Sequence, residues 1–407
     1  MHVILLAPHF PANQLRFLEG LKRVGARVTG IVDARPEHLP SQVVDLLDDV
    51  EFVRSVTDEA AVERAVRAVQ RRGPWVHRLE ATVEAHVRVA ANVRERTGIP
   101  GLPASVVELC RDKYAMKAFL IEQGFPCAEQ RAVSTPAEAR LAADELGLPV
   151  ILKPRDGAGA AGTFKIRDAA DLEAAITQSG FEHGASLTME EFLTGHEGFY
   201  DTLTVGGEVL FEGVCHYFPN VLEAMRDRSV NPFIAVTNQV EGDAYVELRA
   251  FGRRVVTALG ITTSATHMEW FFGPNGLKFS EIGARPPGVS LWDVYAACND
   301  FDIYTEWARA VCWGDVHGTP SRKYAGAILA IRPDRDGRVQ GYTRVEDVQR
   351  RYGEHIVTAH LPAEGTPTQP IEAGYRANAW LHLRHPDFDA LKAMATDIGL
   401  RLRMFAS

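Results

Sequence analysis

The sequence predicts a protein of mixed α/β and α+β class that is built from more than one domain. The chain has 407 residues, which exceeds one ordinary core when a domain takes roughly 150 residues. Its first hundred residues alternate short apolar strands with amphipathic helices, the pattern of a parallel sheet with crossover helices. From residue 199 to residue 282, strands of period two are separated by glycine turns. We therefore expect a small parallel-sheet domain followed by a larger unit rich in strands.

The first domain is expected over residues 1–104. Its predicted strands and helices alternate along the chain: strands 3–7, 28–32, 50–53 and 75–79, and helices 13–24, 59–69 and 83–94. The loop after the first strand, residues 8–11, contains no glycine, which argues against a dinucleotide site there. His9 in that loop follows a strand end, where open sheets bind ligands, so it is either a substrate contact or a solvated loop histidine.

A glycine-rich loop is the most informative stretch of the chain. Predicted helices 106–123 and 137–146 precede it, and an apolar strand that ends at Lys153-Pro154 leads into Gly157-x-Gly159-x-x-Gly162. A dinucleotide-binding turn would need a helix directly after the glycines, but residues 163–166 read as a strand. A hairpin whose backbone N–H groups and Lys153 face phosphates fits better, and a flexible surface hairpin is the alternative.

The remaining elements are predicted in sequence order. They are a helix over 169–178, strands over 187–193, 200–205 and 208–214, a helix over 246–259, a helical stretch over 289–313 with a polar interruption at 299–300, and a last helix over 386–398. Residues 316–407 carry few convergent polar groups, so we interpret them as a packing domain.

A second informative stretch is the predicted hairpin of residues 266–285, which turns at Gly273-Pro-Asn-Gly276. A three-residue loop with a left-handed Gly276 and a bulge would place Glu269 opposite Glu281 on one face. A two-residue loop would place the two carboxylates on opposite faces. Facing carboxylates repel unless a cation lies between them, and Mg²⁺ commonly uses one or two carboxylates plus phosphates. The alternative is that both glutamates lie on a solvated sheet face, and His267 is expected on the other face.

Arg285 follows the second acid by four residues and precedes the rigid Pro286-Pro287-Gly288. A guanidinium held by such a bend suits bidentate contact with a phosphate or carboxylate, although a surface loop arginine is the ordinary interpretation. Cys215 and His216 are neighbours on a predicted strand and point to opposite sides, so they do not form a nucleophile and base.

Composition limits the classes of partner and the cellular compartment that we expect for this protein. The net charge of −9 argues against nucleic acid or an anionic membrane as the main partner. No apolar run approaches the roughly 20 residues that span a bilayer, and the first residues read as a strand and not as a signal peptide. Five scattered cysteines without a CxxC give neither a disulfide framework nor a zinc site, which favours a reducing cytoplasm.

Taken in order, these parts resemble the ATP-grasp superfamily of carboxylate–amine or carboxylate–thiol ligases over roughly residues 1–315. The resemblance implies a pre-ATP-grasp α/β domain (1–104), an ATP-grasp domain (105–315, lid subdomain about 115–190) and a C-terminal α+β domain (316–407). It also implies a role for each matching residue: Lys113 and Lys153 on ATP phosphates, Gly157, Gly159 and Gly162 in the covering loop, Glu190, Glu191, Phe192 and Leu193 in the adenine hinge, Glu197 on the ribose, Glu269 and Glu281 on metal, and Arg285 at the transferred phosphoryl group.

The resemblance also implies the reaction: an ADP-forming ligase that uses ATP and Mg²⁺ or Mn²⁺ to join a small carboxylate to an amine through an acyl phosphate. Gly283 departs from the family pattern, because many members have a metal-binding Asn there. The run Pro286-Pro-Gly-Val289 departs from biotin carboxylases, which favours an amino-acid-type ligase. A biotin carboxylase-type enzyme and a non-catalytic ATP-binding module are the alternatives, and an NAD-dependent dehydrogenase is rejected.

Substrate selectivity is expected from residues 9–13 and 217–228, where Arg226 or Arg228 is a candidate for holding a substrate carboxylate. A homodimer is common in the family, but no feature of the sequence indicates the oligomeric state.

Overall fold

The computed structural model describes residues 1–157 and 162–407, so the predicted site residue Gly159 lies outside the described residues. The N-terminal domain is a parallel four-stranded sheet in the order β3-β2-β1-β4. Its elements are β1 (His2–Leu6), α1 (Gln14–Arg23), β2 (Arg27–Val32), α2 (Ser41–Leu46), β3 (Asp49–Phe52), α3 (Glu59–Arg72), β4 (Arg78–Glu80) and α4 (Glu84–Thr97). The predicted parallel sheet is therefore confirmed.

A second sheet of four antiparallel strands, in the order β5-β8-β6-β7, forms the lid. The elements from the linker through the lid are α5 (Ala104–Arg111), α6 (Lys113–Glu122), β5 (Gln130–Val133), α7 (Pro136–Leu146), β6 (Val150–Pro154), β7 (Phe164–Ile166), α8 (Ala169–Gln178) and β8 (Leu187–Glu191). The prediction of one helix over 106–123 was wrong. Asp112 has extended backbone angles, and its carboxylate accepts hydrogen bonds from the N–H groups of Tyr114 and Ala115, both at 3.0 Å, so a new helix begins there.

The third sheet has eight antiparallel strands in the order β13-β12-β9-β10-β11-β14-β17-β16. The elements of this part are β9 (His196–Val205), β10 (Glu208–Phe218), α9 (Val221–Ala224), β11 (Phe233–Val236), α10 (Val246–Ala258), β12 (Ser264–Gly273), β13 (Gly276–Gly283), α11 (Leu291–Asn299), α12 (Ile303–Trp313), β14 (Ala325–Ile331), β15 (Val339–Thr343), α13 (Val345–Tyr352), β16 (Ile356–His360), β17 (Ala379–His385), α14 (Phe388–Arg401) and β18 (Arg403–Ala406). Residues 316–407 thus extend the same sheet that carries β9–β13.

The β12–β13 hairpin pairs Glu269 with Glu281, as predicted, but its turn is different. The strands close at Gly273 opposite Gly276, so the loop has two residues and not three. A bulge between this turn and the acids adds Ser280 to β13 and shifts the register by one. The shift restores the two carboxylates to one face, which a regular two-residue hairpin would not do.

An aromatic cluster joins the N-terminal domain to the helices that follow the hairpin. Phe17 of α1 is 2% exposed, and its ring centroid lies 5.0–5.2 Å from those of Trp292, Tyr304 and Trp307. The predicted helical stretch over 289–313 is two helices, because Asp300 takes a left-handed backbone conformation at φ 48°. Such close aromatic packing fixes the N-terminal domain against α11 and α12.

No helix among the described residues combines the length and the apolar character that a membrane crossing requires.

Replacing Phe17 by alanine is expected to lower the free energy of unfolding by about 3–5 kcal/mol, because a cavity would open among the three aromatic rings. Urea denaturation followed by tryptophan fluorescence measures this change. Leu400→Ala is the matched control, because Leu400 is 64% exposed and should change stability by less than about 0.5 kcal/mol. Equal losses in the two variants would contradict the account of the cluster.

Candidate active site

A cavity of about 630 Å³ lies between the lid sheet and the large sheet. The lid contributes β6, β7 and β8, and the large sheet contributes β9 to β13. All described site residues that the sequence predicts line it except Gly162: Lys113, Lys153, Gly157, Glu190, Glu191, Phe192, Leu193, Glu197, Glu269, Glu281 and Arg285. Residues far apart in the sequence therefore converge on one space.

Two lysines share one buried carboxylate at the lid side of the cavity. Lys153 Nζ lies 3.0 Å from Glu190 Oε2, and Lys117 Nζ lies 2.7 Å from Glu190 Oε1. Burial opposes the charge on Glu190, but the two lysines outweigh it and hold the pKa of Glu190 below its ordinary value. Burial lowers the pKa of Lys117 to about 8. The side chain of Glu190 thus fixes two cations beside the cavity. Sequence reasoning missed Lys117.

Lys113 contacts both the glycine loop and Glu281, one of the two predicted metal-binding acids. Its Nζ donates to the carbonyl of Gly157 at 2.8 Å and lies 3.5 Å from Glu281 Oε2. Its backbone N–H donates to the carbonyl of Arg155 at 2.9 Å. The first turn of α6 is thereby tied to the strand that enters the loop.

The pKa values of the two facing glutamates are shifted in opposite directions. Burial and the carboxylates of Glu281 and Glu197 raise the pKa of Glu269 to about 7. Burial acts on Glu281 in the same sense, but Lys113 and Lys153 outweigh it and hold the pKa of Glu281 below its ordinary value. The pair therefore carries less than its full negative charge at neutral pH.

His267 lies on the same face as Glu269, and the expectation that it points to the other face was wrong. The two residues are two positions apart on one strand, so their side chains share a side. His267 Nδ1 lies 2.7 Å from Asp201 Oδ1, and its Nε2 lies 3.9 Å from Glu269 Oε1. The hydroxyl of Tyr217 lies 3.5 Å from Glu269 Oε1.

Arg285 is held by a carboxylate from the N-terminal domain. Glu84, at the start of α4, forms ion pairs with both Arg285 and Arg111. Burial opposes the charge on Glu84, but the two guanidinium groups outweigh it and lower the pKa of Glu84 to about 2. A side chain at position 283 would place its Cβ 3.2 Å from Glu84 Oε2. Glycine at this position therefore leaves room for this ion pair.

The predicted hinge and ribose positions form the end of the cavity next to the lid. Glu191 pairs with Lys278 of β13, and Lys165 Nζ lies 3.6 Å from the centre of the Phe192 ring. Glu197 accepts a hydrogen bond from the N–H of Val221 at 2.7 Å, and burial raises its pKa to about 7.

The substrate-contact candidates fall in different places. His9 is not among the residues that line the cavity and lies 3.3 Å from Asp33. Arg226 lines the cavity and donates to the carbonyl of Thr163 in the lid hairpin at 2.8 Å, whereas Arg228 lies 2.7 Å from Asp336. Residues 372–375 of the C-terminal segment also line the cavity, which the interpretation of that segment as packing alone did not anticipate.

Among the described residues, no group of three or more histidine, cysteine, aspartate or glutamate side chains converges on one point. Glu269 and Glu281 still fit a magnesium ion, since Mg²⁺ keeps several waters and uses one or two carboxylates plus substrate phosphates. The strand register places the two carboxylates opposite each other at the cavity, where such an ion would balance their shared charge.

Comparison with known proteins agrees with this geometry. A family model described as the ATP-grasp domain matches residues 118–299. The L-arginine-specific L-amino acid ligase of Bacillus subtilis is 26% identical over 312 residues, which cover 75% of this chain and 74% of the relative. A D-alanine–D-alanine ligase of Mycobacterium sp. (strain KMS) is 27% identical over 246 residues, which cover 56% of this chain and 65% of the relative. Among solved structures, an L-amino acid ligase from Bacillus licheniformis aligns with a TM-score of 0.77 at 18% identity and covers 100% of this chain and 98% of that chain. The predicted fold and family resemblance are confirmed.

Replacing Glu269 by glutamine is expected to stabilise the metal-free protein at pH 8 but not at pH 4. The folded protein holds a proton on Glu269 between pH 4.5 and about 7 that the unfolded chain has already lost, so folding stability falls as the pH rises through that window. Because a glutamine at position 269 carries no titrating proton, the variant does not undergo this fall in folding stability. Thermal unfolding of wild type and variant in EDTA at both pH values measures it.

Glu182→Gln is the control, because this side chain is 80% exposed. Equal melting temperatures of wild type and Glu269→Gln at pH 8 would contradict the assignment of a strained acid pair.

Replacing Gly283 by asparagine, the residue common in the family, is expected to lower activity. An added Cβ would lie 3.2 Å from Glu84 Oε2, so we expect the new side chain to push the Glu84 carboxylate away from Arg285. Comparison of the maximal rate with that of Gly73→Asn, at the exposed end of α3, where an added Cβ comes no closer than 3.4 Å to another atom, measures the effect. Higher activity or tighter Mg²⁺ binding in Gly283→Asn would contradict this account.

Proposed function

Since residues 118–299 form an ATP-grasp domain, we propose that the chain is an ATP- and Mg²⁺-dependent ligase that joins a carboxylic acid to an amine. The observation that carries the proposal is the convergence of Lys113 and Lys153 with Glu269 and Glu281 in one cavity. Cations on one side and paired carboxylates on the other are what transfer of a γ-phosphoryl group requires. The products are ADP, phosphate and an amide.

ATP is proposed to lie with its adenine at residues 190–193 and its ribose hydroxyls at Glu197. The backbone N–H groups of Glu191 and Phe192 donate to the carbonyls of Glu129 and Pro149, so the backbone of Leu193 is the part of the hinge that we propose for contact with the base. Lys153 and Lys113 would face the phosphates, and the loop that contains Gly157 and Gly162 would cover them. Lys117 holds Glu190 and thereby keeps Lys153 in place.

Glu269 and Glu281 would hold Mg²⁺, and Mn²⁺ is a substitute with similar oxygen ligands. When bound, the metal neutralises charge that develops on the phosphates. Loss of the proton from Glu269 would accompany its binding, because a metal-binding carboxylate must be ionised.

Arg285 is proposed to contact the transferred phosphoryl group and the substrate carboxylate. Its ion pair with Glu84 and the bend that follows it fix the guanidinium before a substrate arrives, which lowers the cost of positioning. The lid then excludes water from the acyl phosphate until the amine displaces phosphate. Among the described residues no side chain is placed as a covalent nucleophile: Cys215 is buried against the hydroxyl of Tyr295, and burial raises its pKa.

The known relatives do not favour the bicarbonate-using enzyme or the non-catalytic module. The compartment and the oligomeric state stay predictions. The five cysteines are free and buried, which supports a reducing compartment such as the cytoplasm, and a homodimer is proposed from the family alone.

Incubation with Mg-ATP and a pool of amino acids, with ADP and AMP measured separately, tests the proposal. ADP that forms only with the pool supports an acyl-phosphate ligase, and division of the pool identifies the acid and the amine. AMP would mean an adenylate mechanism and would contradict the proposal. ADP that needs bicarbonate and free biotin would instead support the carboxylase alternative.

Lys153→Ala and Glu281→Ala are each expected to lower the rate of ADP formation at least about 100-fold, because each removes a group that faces the reacting phosphate or its metal. The controls are Lys323→Ala and Glu182→Ala, whose side chains are 64% and 80% exposed. Circular dichroism should show all four variants folded. Near-wild-type turnover in a folded Lys153→Ala or Glu281→Ala protein would remove that residue from the site.

A further inference from the structure

The cavity continues beyond Glu269 and Glu281 along the face of the large sheet. Strand register places Glu281 opposite Glu269, Glu269 opposite Phe199 and Phe199 opposite Cys215. Two residues along β10, Tyr217 pairs with Ile234 of β11. Because residues paired across a sheet share a face, the row runs from carboxylates into aromatic and aliphatic side chains. The far end of this row lines the same cavity as the acids.

Two loops cover that end of the row. The bend after Arg285 brings Val289 and Leu291 over it, and the C-terminal segment brings Tyr375. Val289 has a left-handed backbone at φ 49°, which a β-branched residue adopts only under constraint from its surroundings. Arg376 donates to the hydroxyl of Ser290 and so joins the two loops.

The space enclosed in this way is lined mainly by apolar atoms, and its polar groups are the hydroxyls of Tyr217, which faces Glu269, and of Tyr375. Phe199, Tyr217, Ile234, Leu291 and Tyr375 are each at most 7% exposed and still line the cavity. The hydroxyl of Tyr375 is buried and has no hydrogen-bond partner among the described residues. A buried hydroxyl without a partner is costly, and a ligand oxygen can supply the missing acceptor.

We infer that this end of the cavity, formed by Phe199, Tyr217, Ile234, Val289, Leu291 and Tyr375, is the pocket for an aliphatic or aromatic side chain of the amino acid substrate. The hydroxyl of Tyr375 donates a hydrogen bond to an oxygen of that substrate. The inference rests on the proposed function for the reaction, but the binding of an apolar amino acid can be measured without turnover. Burial of a leucine-sized side chain here supplies affinity through the hydrophobic effect.

The test measures binding and turnover for a panel of amino acids that contains leucine, methionine, phenylalanine, alanine, aspartate and arginine. Binding is measured by calorimetry in the presence of Mg-ADP, and turnover is measured by ADP release. The wild type should bind leucine, methionine or phenylalanine at least about tenfold more tightly than aspartate or arginine. Preference for arginine, with Glu372 at the cavity edge as its partner, would overturn the inference.

Two variants locate the pocket. Ile234→Trp should weaken binding of the preferred large amino acid at least about tenfold and leave alanine and Mg-ADP binding unchanged, because the indole fills the space. Tyr375→Phe should raise the KM of the amino acid about three- to tenfold with kcat and the melting temperature almost unchanged, as for one lost hydrogen bond. Val357→Trp, on the exposed β16, is the control and should change none of these values.

The outcomes separate the pocket from the reaction. Apolar amino acids that bind without any ADP release would support the pocket and contradict the proposed ligase activity. ADP release with a side-chain preference that Ile234→Trp does not alter would support the ligase and overturn the pocket. An equal loss of binding affinity for all the amino acids and for Mg-ADP in Ile234→Trp would also overturn the inference of a pocket.

Discussion

The structure of the site depends on two carboxylates that face each other across a hairpin. Glu269 and Glu281 are paired only because one extra residue, Ser280, bulges out of β13 and corrects the register that the two-residue turn sets. The repulsion is balanced on one side by Lys113 and Lys153 and leaves Glu269 with a pKa of about 7. A site in which lysines balance the charge of only one of two facing carboxylates favours the binding of a cation together with phosphates.

The lysines and the arginine are themselves fixed by carboxylates that no ligand needs to touch. Glu190 holds Lys117 and Lys153 on the lid, and Glu84 holds Arg285 from the N-terminal domain. Each cation is therefore placed before ATP or substrate binds, which is the arrangement that electrostatic stabilisation of a transition state requires. The N-terminal domain takes part in the site through Glu84, and the aromatic cluster around Phe17 keeps that domain in position.

Much of this could be predicted from the sequence where the signal is local. The parallel sheet, the glycine hairpin and the facing acids follow from periodicity and turn residues, although the acids face each other through a bulge that the sequence does not mark. Lys117 lies four residues after Lys113 on one helix, so helical spacing could have indicated it. The contact of Glu84 with Arg285 spans 201 residues, and Tyr375 reaches the cavity from a segment without any motif. Such long-range contacts are set by the packing of whole domains and leave no local pattern.

The proposed reaction begins when a substrate carboxylate attacks the γ-phosphate of ATP. Transfer of ¹⁸O from an acid labelled at both carboxylate oxygens to phosphate detects this attack, since it places one carboxylate oxygen in the phosphate that is released. The measurement uses the acid and amine that support ADP formation, with phosphate analysed by mass spectrometry. One ¹⁸O atom in the phosphate for each ADP formed is the predicted result. Unlabelled phosphate, with the oxygen that the acid loses found in AMP or in water instead, would contradict the acyl-phosphate mechanism.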